Sequence, residues 1–220
     1  MKSYISNNCA NISFYFREKR EYDHPIIGAL FVNDDDYVKF CSNIDSYMSY
    51  EPIFLPPRLN SLWTRQNGSE WYLHTEIKPP YPVMYLGDVE IHWIHENNEK
   101  ELLEKFKRRR ERFFINRAKK NTEYYFLFSS ADRMNNISKQ EDTLLLRKYL
   151  SNPNAIYMTR YPEDLLTFEN EKKEGRIELI DRWISQPETR SYYHVPIIHE
   201  VGDRTLDYQR ILKGLNEKET

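Results

Sequence analysis

Three stretches of the chain carry side chains that could do chemistry. The first is Asp88-Val89-Glu90-Ile91-His92-Trp93-Ile94-His95. In a strand, successive side chains alternate between faces, so Asp88, Glu90 and His92 would share one face and His95 the other. A His-x-x-His pair split between two faces cannot chelate one metal ion, which argues against a zinc motif. A carboxylate beside an imidazole, in contrast, can orient a general base or help bind a hard metal. The competing reading is a solvent-facing strand surface with no task.

The second stretch is Ser6-Asn7-Asn8-Cys9, just after a short apolar run. In open α/β sheets ligands bind beyond the carboxyl ends of strands. Small polar side chains and free amides there can hold an anionic group such as a phosphate. Cys9 could act as a nucleophile if a helix terminus lowers its pKa; otherwise the stretch is an ordinary cap with a small thiol. The third is the basic run Lys107-Arg108-Arg109-Arg110-Glu111-Arg112. On a helix whose buried stripe is Leu102, Leu103, Phe106, Phe113 and Phe114, Arg110 falls within the stripe, Arg109 at its edge and Arg112 on the same side. A buried guanidinium requires a partner. Glu90 or Asp88 could supply one, or Arg109 and Arg112 could clamp a substrate phosphate.

The elements that must position these groups are partly legible. Tyr4-Ile5 ends a first strand. Ala10–Arg20 suits a short helix, Ile26–Val32 a strand, and Asp34-Asp35-Asp36 the acidic first turn of a helix. Asn67-Gly68 signals a hairpin, and Gly87-Asp88 turns the chain into a strand at Val89–His95. Asn97 or Asn98 caps the basic helix. A strand follows at Tyr124–Phe128, a capped helix opens at Ser138, Pro153 ends it, and Ala155–Thr159 is another strand. Ser129–Arg133 and Thr159-Arg160-Tyr161 would lie at the Asn8 edge if those strands are parallel. Leu165-Leu166, Ile177–Trp183 and Leu206–Leu215 suit short helices. The pattern predicts an α/β fold: a three-layer, mixed and partly parallel sheet with a β-rich antiparallel insertion in the middle. Residues 1–160 form the α/β domain, and 161–220 a mostly helical extension.

Composition narrows the class. Among 220 residues, 32 Lys+Arg against 34 Asp+Glu argue against nucleic-acid binding by bulk charge and leave only a local basic patch open. No run approaches the ~20 apolar residues of a membrane helix, and peripheral membrane association stays open. The first residues lack the apolar core of a secretory signal, and two isolated cysteines, Cys9 and Cys41, make neither a disulfide framework nor a zinc site. A reduced, cytoplasmic protein is expected. Trp63, Trp71 and Trp93 could stack on sugar rings or simply fill the core. Phosphate-loop, dinucleotide and nucleophile-elbow patterns are absent from the sequence.

Taken in order, Ile5-Ser6-Asn7-Asn8-Cys9, Tyr22–Pro25, Tyr81-Pro82-Val83, Leu86-Gly87-Asp88, Ile91-His92 to His95, and Phe106 with Arg109 and Arg112 resemble one bacterial family of unknown function, numbered 1919. Its members are often labelled exopolysaccharide or capsular polysaccharide biosynthesis proteins. The likeness covers roughly Met1–Thr159. Ala10-Asn11-Ile12 stands here where the family has glycines. The resemblance implies an α/β fold and a link to surface glycans, and supplies no catalytic residues. The expectation is a transferase acting on a phosphate-bearing sugar, with a sugar phosphate or nucleotide sugar as ligand. Asp88, Glu90, His92 and Cys9 would supply its chemistry, and Ser6, Asn7, Asn8, His95, Arg109 and Arg112 its binding groups. The cofactor, the metal requirement and the oligomeric state stay open. The rivals are a non-catalytic partner in a glycan-assembly complex and a hydrolase using Cys9 or Ser6.

Overall fold

The computed structural model describes residues 2–7, 11, 12, 15, 19–58, 81–120, 122–129, 139–159 and 162–179. Along the chain the elements run β1 (Lys2–Ser6), α1 (Asp34–Ser42), α2 (Ile44–Ser49), β2 (Ile53–Phe54), β3 (Val83–Leu86), β4 (Val89–His92), α3 (Glu99–Ala118), β5 (Glu123–Ser129), α4 (Lys139–Leu150), β6 (Ala155–Thr159), α5 (Asp164–Thr167), α6 (Glu169–Lys173) and β7 (Ile177–Leu179). The fold is α/β. Four strands form a parallel sheet in the order β1-β5-β6-β7, and the middle of the chain forms a separate antiparallel sheet, β2-β3-β4.

The central strands of the parallel sheet are near-continuous apolar runs, Tyr124–Phe128 and Ala155–Met158, buried throughout. That composition suits a parallel sheet covered on both faces. Two tyrosines pin helices to it. The Tyr37 hydroxyl of α1 donates to the carbonyls of Ile5 and Leu127, both at 2.8 Å, sharing one proton between neighbouring strands. The Tyr149 hydroxyl of α4 does the same for Phe126 (2.6 Å) and Ile156 (3.0 Å). Burial pushes both phenols well up, so they remain neutral donors.

The longest helix, α3, starts where the sequence places it. Asn98 accepts from the amides of Lys100 (2.9 Å) and Glu101 (3.1 Å), with Glu99 and Glu101 in the first turn. Its buried stripe is narrower than the pattern suggests. Leu102, Phe106 and Phe113 are buried, Leu103 is half-buried, and Phe114 is 39% exposed.

Three expected elements differ. Ile26–Val32 is no regular strand. Gly28 adopts a left-handed φ of 73°, and only Leu30 forms a bridge, to His92. The strand through Glu90 ends at His92, because a turn follows in which the Glu96 amide bonds the Trp93 carbonyl at 2.9 Å. Ile177–Leu179, expected to be helical, is an edge strand paired with β6. Gly175, at φ 70°, stops α6, and Ile-Glu-Leu then alternates with strand period. The Asn67-Gly68 hairpin, the Ser138 cap, most of Ala10–Arg20, and the Leu206–Leu215 helix lie outside the described residues. Among the described residues no helix is long and apolar enough to cross a membrane.

The 28–32 segment joins the two sheets. Leu30 exchanges two backbone hydrogen bonds with His92 of β4, at 2.8 and 2.9 Å. The next amide, Phe31, bonds the Asn7 carbonyl at 2.9 Å. The antiparallel sheet is thereby tied to the carboxyl end of β1, which brings the first two stretches of interest into one region.

Candidate functional site

Gly87, at φ 61°, lets Gly87-Asp88 act as a two-residue turn between β3 and β4. The turn fixes the register: Tyr85 stands opposite Glu90, and Val83 opposite His92. Glu90 and His92, two residues apart, point to the same face and meet: Glu90 Oε1 lies 2.7 Å from His92 Nε2. This face is buried, with both residues 1% exposed, so it is not the solvent-facing surface that the competing reading requires.

The other Glu90 oxygen is equally engaged. Oε2 accepts from the Tyr85 hydroxyl (2.6 Å), the Arg58 amide (2.7 Å) and Arg58 Nε (3.1 Å). Arg58 also reaches the buried Asp36 carboxylate through Nη2 and the Asp88 carbonyl through Nη1 (3.4 Å). Asp36 sits in the first turn of α1 and accepts the Glu90 amide at 3.0 Å. One guanidinium thus serves two buried acids.

The environments push these acids apart. For Glu90, burial opposes ionisation, but the hydrogen bond and charge of His92, the Tyr85 hydroxyl and the Arg58 amide outweigh it and bring its pKa down to about 2. For Asp36, burial prevails over the Glu90 amide and the Arg58 charge, and its pKa rises. An ionised Glu90 can only accept, so His92 Nε2 carries a proton facing it. In the neutral ring Nδ1 is then an acceptor, and it faces the Tyr81 hydroxyl at 3.3 Å. The result is a carboxylate–imidazole–phenol series, Glu90–His92–Tyr81. It can hold an imidazole in one tautomer and stabilise the imidazolium that forms when it takes a proton.

Asp88 does not join this group. It occupies the turn, its side chain 63% exposed, bonded to Lys39 (3.0 Å) and Tyr47 (3.0 Å). These partners, the Lys39 hydrogen bond first, lower its pKa. Ser6 is buried at the end of β1. Asn7 is committed to the backbone of β5: its amide nitrogen donates to the Ser129 carbonyl (3.2 Å), and its amide oxygen accepts from the Ser129 amide (3.0 Å). Asn8 and Cys9 lie outside the described residues, as do Trp63 and Trp71. Ser129 and Thr159 do end parallel strands on the same edge as Asn7. His95 is exposed, beside Gly28.

Of the arginines, Arg110 has another partner than the two acids suggested by the sequence. Arg110 pairs with neither Glu90 nor Asp88. It donates to the Tyr50 carbonyl and to Glu51, both at 2.9 Å, tying α3 to the end of α2. Arg109 stacks 4.4 Å over the Tyr22 ring, with no ion-pair partner among the described residues, and burial lowers its pKa. Arg112 bonds the Tyr22 carbonyl (3.1 Å) and meets Glu21 (3.4 Å). Trp93 is buried edge-on to Phe106, as core rather than as an exposed platform.

Sequence reasoning missed Asp36, Arg58, Tyr85 and Tyr81. The Gly87-Asp88 turn already implied that Tyr85 faces Glu90. Asp36 was visible only as one of three acids at a helix start, and nothing local marks Arg58. No group of three or more His, Cys, Asp or Glu among the described residues is arranged to hold a metal ion.

The fold and this buried network define an α/β protein whose parallel sheet carries an antiparallel unit at its carboxyl edge. The family described as Domain of unknown function (DUF1919) matches residues 2–183, and the chain belongs to it. The match runs past Thr159 through β7. No curated protein matches the chain.

Proposed function

We propose that this chain is a cytoplasmic enzyme of surface-polysaccharide assembly, a transferase acting on a phosphate-bearing sugar, with His92 as its base. One observation carries the catalytic part: the 2.7 Å contact between buried Glu90 and His92, with Tyr81 on the far ring nitrogen. In this reading His92 takes the proton of an acceptor hydroxyl by way of Tyr81 as the acceptor's oxygen bonds to the sugar carbon. The donor's phosphate leaves with the electrons of the broken bond, and Glu90 stabilises the imidazolium. Arg109 and Arg112 hold the phosphate of a nucleotide sugar or sugar phosphate, as guanidinium forks do. The glycan part rests on the resemblance to proteins often labelled for exopolysaccharide biosynthesis.

A second reading has its own support. Glu90 is partnered at both oxygens and is wholly buried, as a structural lock would be. A non-catalytic partner in a glycan-assembly complex needs no more than that.

A thermal-shift screen against nucleotide sugars and sugar phosphates separates the two. A specific ligand at about one hundred times its Kd stabilises the fold by about 2.7 kcal/mol. The enzyme reading expects a shift lost in Arg109→Ala, with turnover abolished in a folded His92→Asn that still binds. Unchanged turnover in His92→Asn, or no shift with any ligand, refutes it.

A further inference from the structure

A polar concavity lies at the edge of the parallel sheet opposite Asn7, where β5 and β6 begin. It is a cleft of about 440 Å³, with Ile44 and Phe126 among its apolar lining and Asn43, Lys120, Asn152 and Asn154 around it. We propose that it binds a neutral saccharide, independently of the Glu90–His92 site and of the catalytic reading given to it.

Two amides there are oriented by the backbone. The Asn152 side-chain oxygen accepts from the Asn154 amide at 2.9 Å, which directs its NH2 away from that bond. The Asn154 NH2 donates to the Tyr124 carbonyl at 3.1 Å, which leaves its oxygen as the outward acceptor. A fixed donor thus stands two residues from a fixed acceptor, a pattern that suits neighbouring hydroxyls, each of which both donates and accepts. Asn43 adds a third amide. It stands at the N-cap of α2, yet makes no cap hydrogen bond with its side chain.

The charges point the same way. Asp45 is held by Arg117, with Nε at 2.8 Å. Glu123 accepts from the Tyr125 hydroxyl at 3.1 Å, and Lys120 brings the lining to formal neutrality. An anion would meet two carboxylates, and a cation two basic groups. An uncharged ligand with many hydroxyls meets neither penalty.

The test is a ¹H–¹⁵N titration of the full chain with cellobiose, chitobiose and maltotriose, and separately with inorganic phosphate. At least one neutral sugar is expected to move the side-chain amides of Asn43, Asn152 and Asn154 in a saturable way. Asn43→Leu removes an exposed amide that caps nothing. Asn152→Asp keeps the acceptor for Asn154 but replaces the outward donor. Each is expected to weaken binding about fivefold or more while leaving distant resonances unchanged. No shift at these amides with any of the sugars, or affinity indifferent to both substitutions, overturns the proposal. Movement by phosphate alone, abolished in Lys120→Ala, also overturns it in favour of an anion site. Because these readouts are binding at the cleft, they stand or fall apart from turnover in Glu90 and His92 variants.

Discussion

Asp36 and Glu90, two buried carboxylates from different elements, are joined directly: the Glu90 amide donates to the Asp36 carboxylate at 3.0 Å, while Arg58 bonds both side chains. The network fastens the start of α1, the segment after β2 and the β3–β4 hairpin at one point. His92, also bridged to Leu30, extends that tie toward the carboxyl end of β1.

Breaking the network from its centre should be costly. Glu90→Gln takes from Arg58 one of its two carboxylate partners, removes the charge that His92 faces, and replaces one acceptor by a donor. Removing one partner of a buried pair typically costs about 3–5 kcal/mol, and the retained amide oxygen places this variant near the lower end, about 3 kcal/mol. Urea unfolding at pH 7 measures it. A loss below about 1 kcal/mol, the range of exposed pairs, would show that the group is solvated rather than locked.

Acid sensitivity should begin with His24 rather than Glu90. Burial lowers the His24 pKa from 6.5 to about 4, and its Nε2 lies 3.1 Å from the Tyr4 carbonyl. The unfolded chain binds this proton more readily than the folded one. His24 therefore contributes full stability above pH 6.5, and that contribution is lost as pH falls toward 4, amounting to about 3 kcal/mol. Glu90 adds a second loss at lower pH. Its folded pKa of about 2 lies below the ordinary 4.5, so its contribution is present above 4.5 and disappears as pH falls through 2. Asp36, whose pKa burial raises, has the opposite sign and offsets part of the Glu90 contribution. Denaturant midpoints between pH 7 and 4 should fall steeply for the native chain and less for His24→Gln. Equal slopes would refute the assignment.

The sequence disclosed the fold where one rule governed locally. Ala155–Thr159 is a strand with the expected bounds, Asn98 caps α3, and the apolar run of β5 announces a buried parallel strand. Strand alternation placed Glu90 beside His92, but it also grouped Asp88 with them, because alternation says nothing of where the turn begins. Arg58 and Asp36 come 32 and 54 residues before Glu90, and no local periodicity links such positions. The Arg110 error was of the same kind. The helix stripe located the side chain correctly near the packed side, but the partner waiting there, Glu51, is set by how α2 approaches α3.

Two positive φ angles give opposite mutational signs. Lys120, just past α3, sits at φ 53°, a conformation that glycine adopts without steric penalty. Lys120→Gly should raise stability by up to about 1 kcal/mol, or about 2–4 °C in Tm for a chain of this size. Gly87 is the converse. At φ 61° it also packs against Tyr50, where an added Cβ would lie 3.0 Å from Cε2. Gly87→Ala should lower stability by more than about 1 kcal/mol, combining backbone strain with that contact. Thermal unfolding of the two variants checks both signs, and a stabilised Gly87→Ala would mean the turn has another geometry.

Asn7 spends its side-chain amide within the sheet. It was a candidate ligand-binding group, yet both ends of its amide satisfy Ser129, so its side chain prolongs the β1–β5 ladder by one rung. Its own amide donates to the Leu127 carbonyl at 3.1 Å, and its carbonyl receives Phe31 at 2.9 Å. Asn7→Ala keeps these backbone bonds but removes the side-chain rung, taking one hydrogen bond each from the Ser129 carbonyl and the Ser129 amide. With each lost hydrogen bond worth about 0.5–1.5 kcal/mol, the variant should lose about 1–3 kcal/mol. Asn7→Asp should recover only part of that loss. Its carboxylate can still accept from the Ser129 amide but sets a negative oxygen against the Ser129 carbonyl. Hydrogen exchange at the Ser129 amide reads the rung directly: it should accelerate strongly in Asn7→Ala and less in Asn7→Asp. If Asn7→Ala instead left exchange and stability unchanged while abolishing ligand binding, Asn7 would be a binding group after all, and the carboxyl edge of β1 would hold itself together without it.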